Sequence, residues 1–316
     1  MTVSVDARLE AVVRRDRLIV VTALIAVIAF SWAYLLAGAG TGMSAFEMTR
    51  MSQLGMAGSM AERSTACIAM MTPAVWAPGY AVLMFFMWWV MMVAMMLPSA
   101  APMILLFATV NRKQRETGRP HVATSMFAVG YLVAWAGFSL VAVILQWGFA
   151  QTGILSPMLV GTNVIFGGVL LLAAGIYQLT PIKHACLRHC RSPLAFLSTY
   201  WLRGARGALR MGLVHGAFCV GCCWFLMGLL FFGGVMNLYW IAGLALFVLF
   251  EKTIPAGHWI GYATGVALLV WGAGMLTLAF CEGGCRFYIL AVHRGRSPDL
   301  GSLVLAPFGN RSAAGS

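Results

Sequence analysis

Residues 84–100 read MFFMWWVMMVAMMLPSA, and no charged side chain occurs there or anywhere in 80–110. About 20 helical residues, rising 1.5 Å each, cross the ~30 Å hydrocarbon core of a bilayer, so this run is long enough to span one. Comparable runs recur on either side of it, at 18–37, 122–147, 157–179, 209–233, 235–250 and 255–280. The composition agrees: 61% of the 316 residues are hydrophobic and 9% are charged, where a soluble domain carries about a quarter. The expected fold is all-α, a polytopic membrane helix bundle of about seven transmembrane helices. The run 235–250 has only 16 residues before Glu251, so six helices plus a re-entrant segment is the alternative. Pro98 removes a helix hydrogen bond and is expected to kink or end the helix that contains it.

The net charge of +12 is read as a topology signal. Lys and Arg collect in loops that stay cytoplasmic. The N-terminal arm, the loop at 111–121 and the segment 180–210 together hold fourteen, while the loops at 38–79 and 148–156 hold two. This puts the N-terminus in the cytoplasm and the 38–79 loop outside. The expected organisation is a cytoplasmic arm over 1–17, a bundle over 18–280 with its external loop at 38–79, and a C-terminal tail over 281–316. The tail is polar and rich in Gly, Ser and Ala from Gly295 onward, and reads as partly disordered. The first apolar run is longer than the roughly 7–15 residues of a signal peptide and is retained as a helix. No basic stripe lies on a soluble domain, so nucleic acid is excluded as a partner and the lipid bilayer is the expected one. No phosphate-cradling glycine loop and no Ser/His/Asp set is present.

Methionine is the first anomaly. Fourteen of 21 fall between Met43 and Met103, seven of them in the 38–79 loop. In the opening stretch Met87, Met91 and Met95 recur every four residues, as do Met92 and Met96, and residues four apart stack on one helical face. Methionine often serves as flexible apolar filler. A column of thioethers leading from a Met-rich loop is more than filling requires. Neutral, soft thioethers favour Cu(I), and a series of weak sites lets a cation move without being trapped.

The second anomaly is VHGAFCVGCCWFLM at 214–227. His215, Cys219 and Cys222 share a helical face by their spacings of four and three, Cys223 edges it, and Met211 extends it. Free cysteines often pack as small apolar residues. A disulfide within a continuous helix is geometrically strained, whereas thiolate–imidazole sets suit Cu(I) or zinc. A metal site is the better reading. A third cluster, KHACLRHCRSP, offers His184, Cys186, His189 and Cys190 as a secondary metal site on a cytoplasmic loop. Glu251 and Lys252 are intramembrane charges that need not pair with each other. Glu251 is expected to balance a bound cation or anchor the helix end, and Lys252 to snorkel to the headgroups. Cys281 and Cys285 would form a disulfide if external.

Four stretches, AMMLPSAAP at 94–102, YQLTPIKHACLRHCRSP at 177–193, CVGCCWFLM at 219–227 and the pair Glu251-Lys252, occur in this order. Together they resemble the bacterial family of predicted metal-binding integral membrane proteins, domain of unknown function 2182, over roughly 80–275. The resemblance implies a membrane metal-binding protein that handles copper. The expected setting is the bacterial inner membrane, and the expected partner a cuproenzyme or copper-carrier protein. The combined reading is a Cu(I)-binding membrane protein that accepts, holds or transfers copper as a chaperone or transporter, rather than an enzyme. The rivals are a membrane thiol oxidoreductase using Cys219 and Cys222, and a structural subunit of a membrane complex.

Overall fold

Side chains on the outside of the bundle are apolar and open, as at Phe30, Leu140, Val270 and Leu278, while Gln146, Gln178, Lys183, His215, Glu251 and Lys252 are buried within. A soluble protein distributes these groups the other way round. The computed structural model describes residues 3–50, 76–116, 124–153, 155 and 164–293. Its helices are α1 (Val3–Leu36), α2 (Pro78–Glu116), α3 (Thr124–Gln151), α4 (Val164–Leu179), α5 (Pro181–Arg191), α6 (Pro193–Tyr200), α7 (Gly204–Gly228), α8 (Leu230–Gly233), α9 (Leu238–Thr253) and α10 (Gly257–His293). No strand is present among the described residues. The protein is an all-α polytopic helix bundle.

Five spans are long and apolar enough to cross a membrane, at 17–36, 78–112, 124–151, 204–233 and 257–280. A sixth arises if α4 and α5, bent by 64° at Thr180, count as one broken crossing. The expected span 235–250 appears as α9, whose 16 residues reach about 24 Å, short of the ~30 Å core. This corresponds to the alternative of six crossings plus a short segment. Pro98 does not end its helix: α2 runs unbroken through both Pro98 and Pro102. Polar groups gather beside the prolines, where the Met96 carbonyl accepts from Ser99 Oγ at 2.8 Å and from Tyr131 Oη at 3.2 Å.

The segment 181–191, expected to be a loop, is helix α5. Thr180 caps it by accepting from the Lys183 amide, and Pro181 occupies its first turn, where a missing N–H costs nothing. The bend folds α5 back against α7. The tail expected from residue 281 begins as a continuation of α10 to His293. Residues 294–316 lie outside the described residues, as do Cys67 and the loop methionines Met51, Met56, Met60, Met70 and Met71. So do the side chains of Cys281 and Cys285. Packing is closest between α3 and α7 and between α4 and α10, with α2 held between α1, α3 and α9.

Candidate functional site

Helices α3 and α7 meet almost backbone to backbone. A Cβ placed on Gly212 would lie 2.0 Å from the Phe127 carbonyl oxygen, and one on Gly130 would lie 2.1 Å from that of Leu209. Only hydrogen fits at these positions, which is how small residues allow membrane helices to approach. The approach seats Tyr131 of α3 on α7, with its hydroxyl 3.1 Å from Cys219 Sγ. The same hydroxyl donates to the Met96 carbonyl, so one phenol joins α2, α3 and α7.

Along α7 the expected face is buried in full: Met211, His215, Cys219, Cys222 and Cys223. The thiols of Cys222 and Cys223 donate to the Cys219 carbonyl at 3.1 and 2.9 Å. Cys219 Sγ receives Lys252 Nζ at 2.9 Å, and the same ammonium lies 3.3 Å from Ser99 Oγ. Cys190, reaching over from α5, neighbours Cys219 and Cys222. His215 lies among the rings of Phe127, Tyr131 and Phe196, with centroids 6.0, 5.9 and 5.1 Å away, and its Nδ1 is buried with no hydrogen-bond partner. Met211 is turned to another task, accepting the Leu202 amide at 3.3 Å.

The α2 methionines form a buried column. Met84, Met87, Met91, Met92, Met95 and Met96 are each at most 1% exposed, and from first to last they span about 18 Å of helix. At one end Met84 Sδ accepts from Gln146 Nε2 at 3.3 Å, and Gln146 Oε1 in turn accepts from Trp88 Nε1 at 2.6 Å. At the other end Met96 Sδ lies 3.9 Å from Cys223 Sγ. The last methionine of the column therefore meets the first of the α7 thiols.

The charged residues differ from expectation. Lys252 does not snorkel: it is buried, and its ammonium ends on Cys219. Glu251 is balanced by Lys183 of α5 in a buried ion pair. Adjacent residues on a helix point about 100° apart, so Glu251 and Lys252 reach different neighbours. The third cluster is divided as well. Cys190 joins the α7 thiols, His189 stacks on Phe218 with centroids 4.1 Å apart, and His184 lies against Tyr262 of α10 at 4.7 Å. Cys186 faces Gly221. The four do not converge on one point. Among the described residues no three His, Cys, Asp or Glu side chains stand arranged to hold a metal, and the contacts that link the site combine thiols with a thioether and an ammonium.

Tyr131, Ser99, Gln146 and Lys183 belong to this neighbourhood and were not among the expected site residues. Ser99 and Lys183 fall within the stretches AMMLPSAAP and YQLTPIKHACLRHCRSP, so those stretches held the signal. Tyr131 and Gln146 lie on α3 in no recognisable motif.

Residues 85–275, more than half of the chain, match the family PpoB2, described as copper chaperone. No curated protein and no solved structure matches the chain.

Proposed function

We propose that this chain, which belongs to the copper chaperone family, takes up Cu(I) through the α2 methionine column and holds it at the α7 thiols for transfer to a partner. The observation that carries the reading is the 3.9 Å approach of Met96 Sδ to Cys223 Sγ. Two sulfurs bound to one ion by bonds of about 2.3 Å, at the trigonal angle, stand about 4 Å apart. The junction already has the spacing at which a soft ion could be shared between the last thioether and the first thiol.

The chemistry sets a direction. Thioethers are neutral and bind Cu(I) weakly, whereas thiols bind it as thiolates and hold it more firmly. An ion entering past Met43 and Met48 would descend by exchange along Met84, Met87, Met91, Met92, Met95 and Met96, then pass to Cys223, Cys219 and Cys222. Each thiol that binds the ion gives up its proton to solvent as the sulfur–metal bond forms, and no electron is transferred. The unpartnered Nδ1 of His215, one turn along α7 from Cys219, and the thiol of Cys190 offer further donors. The Lys252 ammonium beside Cys219 supports the reading in another way, because this pocket already accommodates a positive charge. Two thiolates on one Cu⁺ would carry a net negative charge, which the Lys252 ammonium between Cys219 and Ser99 would balance. Thiolates and imidazole would also accept zinc, but the thioether column favours Cu(I). A cuproenzyme or a copper-carrier protein is the expected recipient. The proposed setting is the bacterial inner membrane, with the N-terminal arm cytoplasmic and the Met-rich loop outside.

Copper content distinguishes the parts. Protein expressed with copper should retain it after dialysis, and Cys219→Ser/Cys222→Ser should lose it. Met91→Leu/Met95→Leu should fill slowly but keep what it has bound. If wild type and both double variants hold the same copper, the proposed route is wrong.

A further inference from the structure

Helix α1 packs on α2 and α2 packs on α3, leaving a cleft between α1 and α3. The cleft has a volume of about 550 Å³ and is lined unevenly. Its polar residues, Arg17, Thr109, Asn111, Arg112, Thr124 and Ser125, gather toward one end. Its walls beyond them are apolar, with Val20, Leu24 and Val27 on one side and Leu97, Ile104 and Ala108 on the other. The polar end coincides with the ends of three membrane spans, since one starts at Arg17, one finishes at Arg112 and one starts at Thr124. That end therefore lies at the level of the lipid headgroups. From Arg17 to Val27 the trough runs ten residues, about 15 Å, which is the acyl depth of one leaflet of a ~30 Å core.

We infer that this cleft binds one anionic phospholipid, its phosphate held between Arg17 and Arg112 and an acyl chain laid against α2. Two features select this occupant. Arg17 and Arg112 both line the mouth, where a phosphate would sit, and the α1 wall of the trough is one leaflet deep. Basic pockets between membrane helices are recognised sites for anionic headgroups. The volume falls within the roughly 300–1,000 Å³ of built ligand sites. Asn111, Thr124 and Ser125 provide neutral groups for the glycerol and ester oxygens. The inference does not depend on copper. It concerns a different face of α2 from the one that meets Cys223, and it stands or falls separately.

Native mass spectrometry of the purified full chain, given equal amounts of dioleoyl phosphatidylglycerol and dioleoyl phosphatidylcholine, tests it. The wild type should carry one lipid. Two arginines contributing about fivefold each should make phosphatidylglycerol preferred by about 30-fold. Arg17→Gln, a change at an exposed side chain, should lower that preference about fivefold, and Arg17→Gln/Arg112→Gln should abolish it. Ala108→Phe, which fills the trough, should remove the bound lipid without changing the oligomeric state of the protein. Equal retention of both lipids by the wild type would overturn the inference. So would a preference that Arg17→Gln leaves unchanged, or a lipid-free dimer showing that a second copy occupies the cleft.

Discussion

Replacing Gly212 by Ala tests the seam between α3 and α7. The new Cβ would stand 2.0 Å from the Phe127 carbonyl oxygen, where ordinary contact begins at 3.4 Å. The obstacle is backbone, so no side chain can swing aside, and the helices must part by about 1.4 Å if the contact is to become ordinary. Tyr131 is one turn along α3 from Phe127, on the same face, and its hydroxyl starts 3.1 Å from Cys219 Sγ. A retreat of that size breaks the contact. Overpacking costs about 1–3 kcal/mol and a lost hydrogen bond about 0.5–1.5 kcal/mol, so the variant should be about 2–4 kcal/mol less stable. Gly243 of α9 supplies the control, because a Cβ there meets nothing within 4 Å. Alanine is the better helix former by up to about 1 kcal/mol, so Gly243→Ala should be neutral or stabilising. The two substitutions are chemically identical and are expected to differ in sign. Thermal unfolding in detergent measures the first effect, and the rate at which a soluble Cu(I) chelator strips metal from the loaded protein measures the second. Gly212→Ala should unfold earlier and surrender copper faster. If both variants behave alike in the two assays, the α3–α7 seam does not hold the thiol site in place.

Other outcomes follow from single contacts. Met96→Leu removes the thioether nearest Cys223 and should slow copper loading while leaving the amount finally held unchanged, as read by a time course of metal content. Glu251→Gln leaves Lys183 as an unpaired buried charge and should cost about 3–5 kcal/mol in an unfolding titration, with Lys183→Met/Glu251→Leu recovering most of the loss. Tyr131→Phe keeps the ring but loses the hydroxyl contacts to Met96 and Cys219, and should cost about 1 kcal/mol with a faster loss of copper to the chelator. At the start of the helical segment 45–50, Ser44 donates from its amide and hydroxyl to the exposed Glu47, holding that carboxyl below its ordinary value of 4.5. A depressed carboxylate stabilises the fold above its unfolded value, and the benefit is lost as pH falls through the folded one. Amide protection at 45–50 should therefore drop as pH falls from about 4.5 downward, and Glu47→Gln should abolish that dependence.

The parts of this molecule that were legible in its sequence are those that local periodicity controls. Charge-free runs give the long helices, and spacings of three and four give the buried face of His215, Cys219 and Cys222 and the burial of every α2 methionine. What escaped depends on distance in space. Lys183 reads as one more loop arginine or lysine in a positive-inside count, yet it is buried against Glu251 from 68 residues away. The Thr180-Pro181 start signal was present, but the surrounding arginines and histidines resemble a solvated loop more than a helix. Cys190 could be assigned to the main thiol group only once the bend had brought α5 back onto α7. The snorkelling expected of Lys252 fails because its side chain turns inward from an otherwise exposed helix end and meets Cys219 Sγ. Pro98 leaves α2 intact because neighbouring helices and hydroxyls surround the interrupted stretch, a compensation that no sequence window displays.

Helix α5 is fastened to α9 by Lys183 and Glu251, and seven residues or about 10 Å further along it brings Cys190 beside the α7 thiols. Should a metal ion recruit Cys190, a second fastening would form only in the loaded protein. Cargo and architecture would then be thermodynamically linked, with a hundredfold excess over the dissociation constant adding about 2.7 kcal/mol to the native state. The unloaded form would be the one that opens locally at the 64° bend and is offered to membrane proteases. Copper scarcity would then set the lifetime of the protein as well as its occupancy.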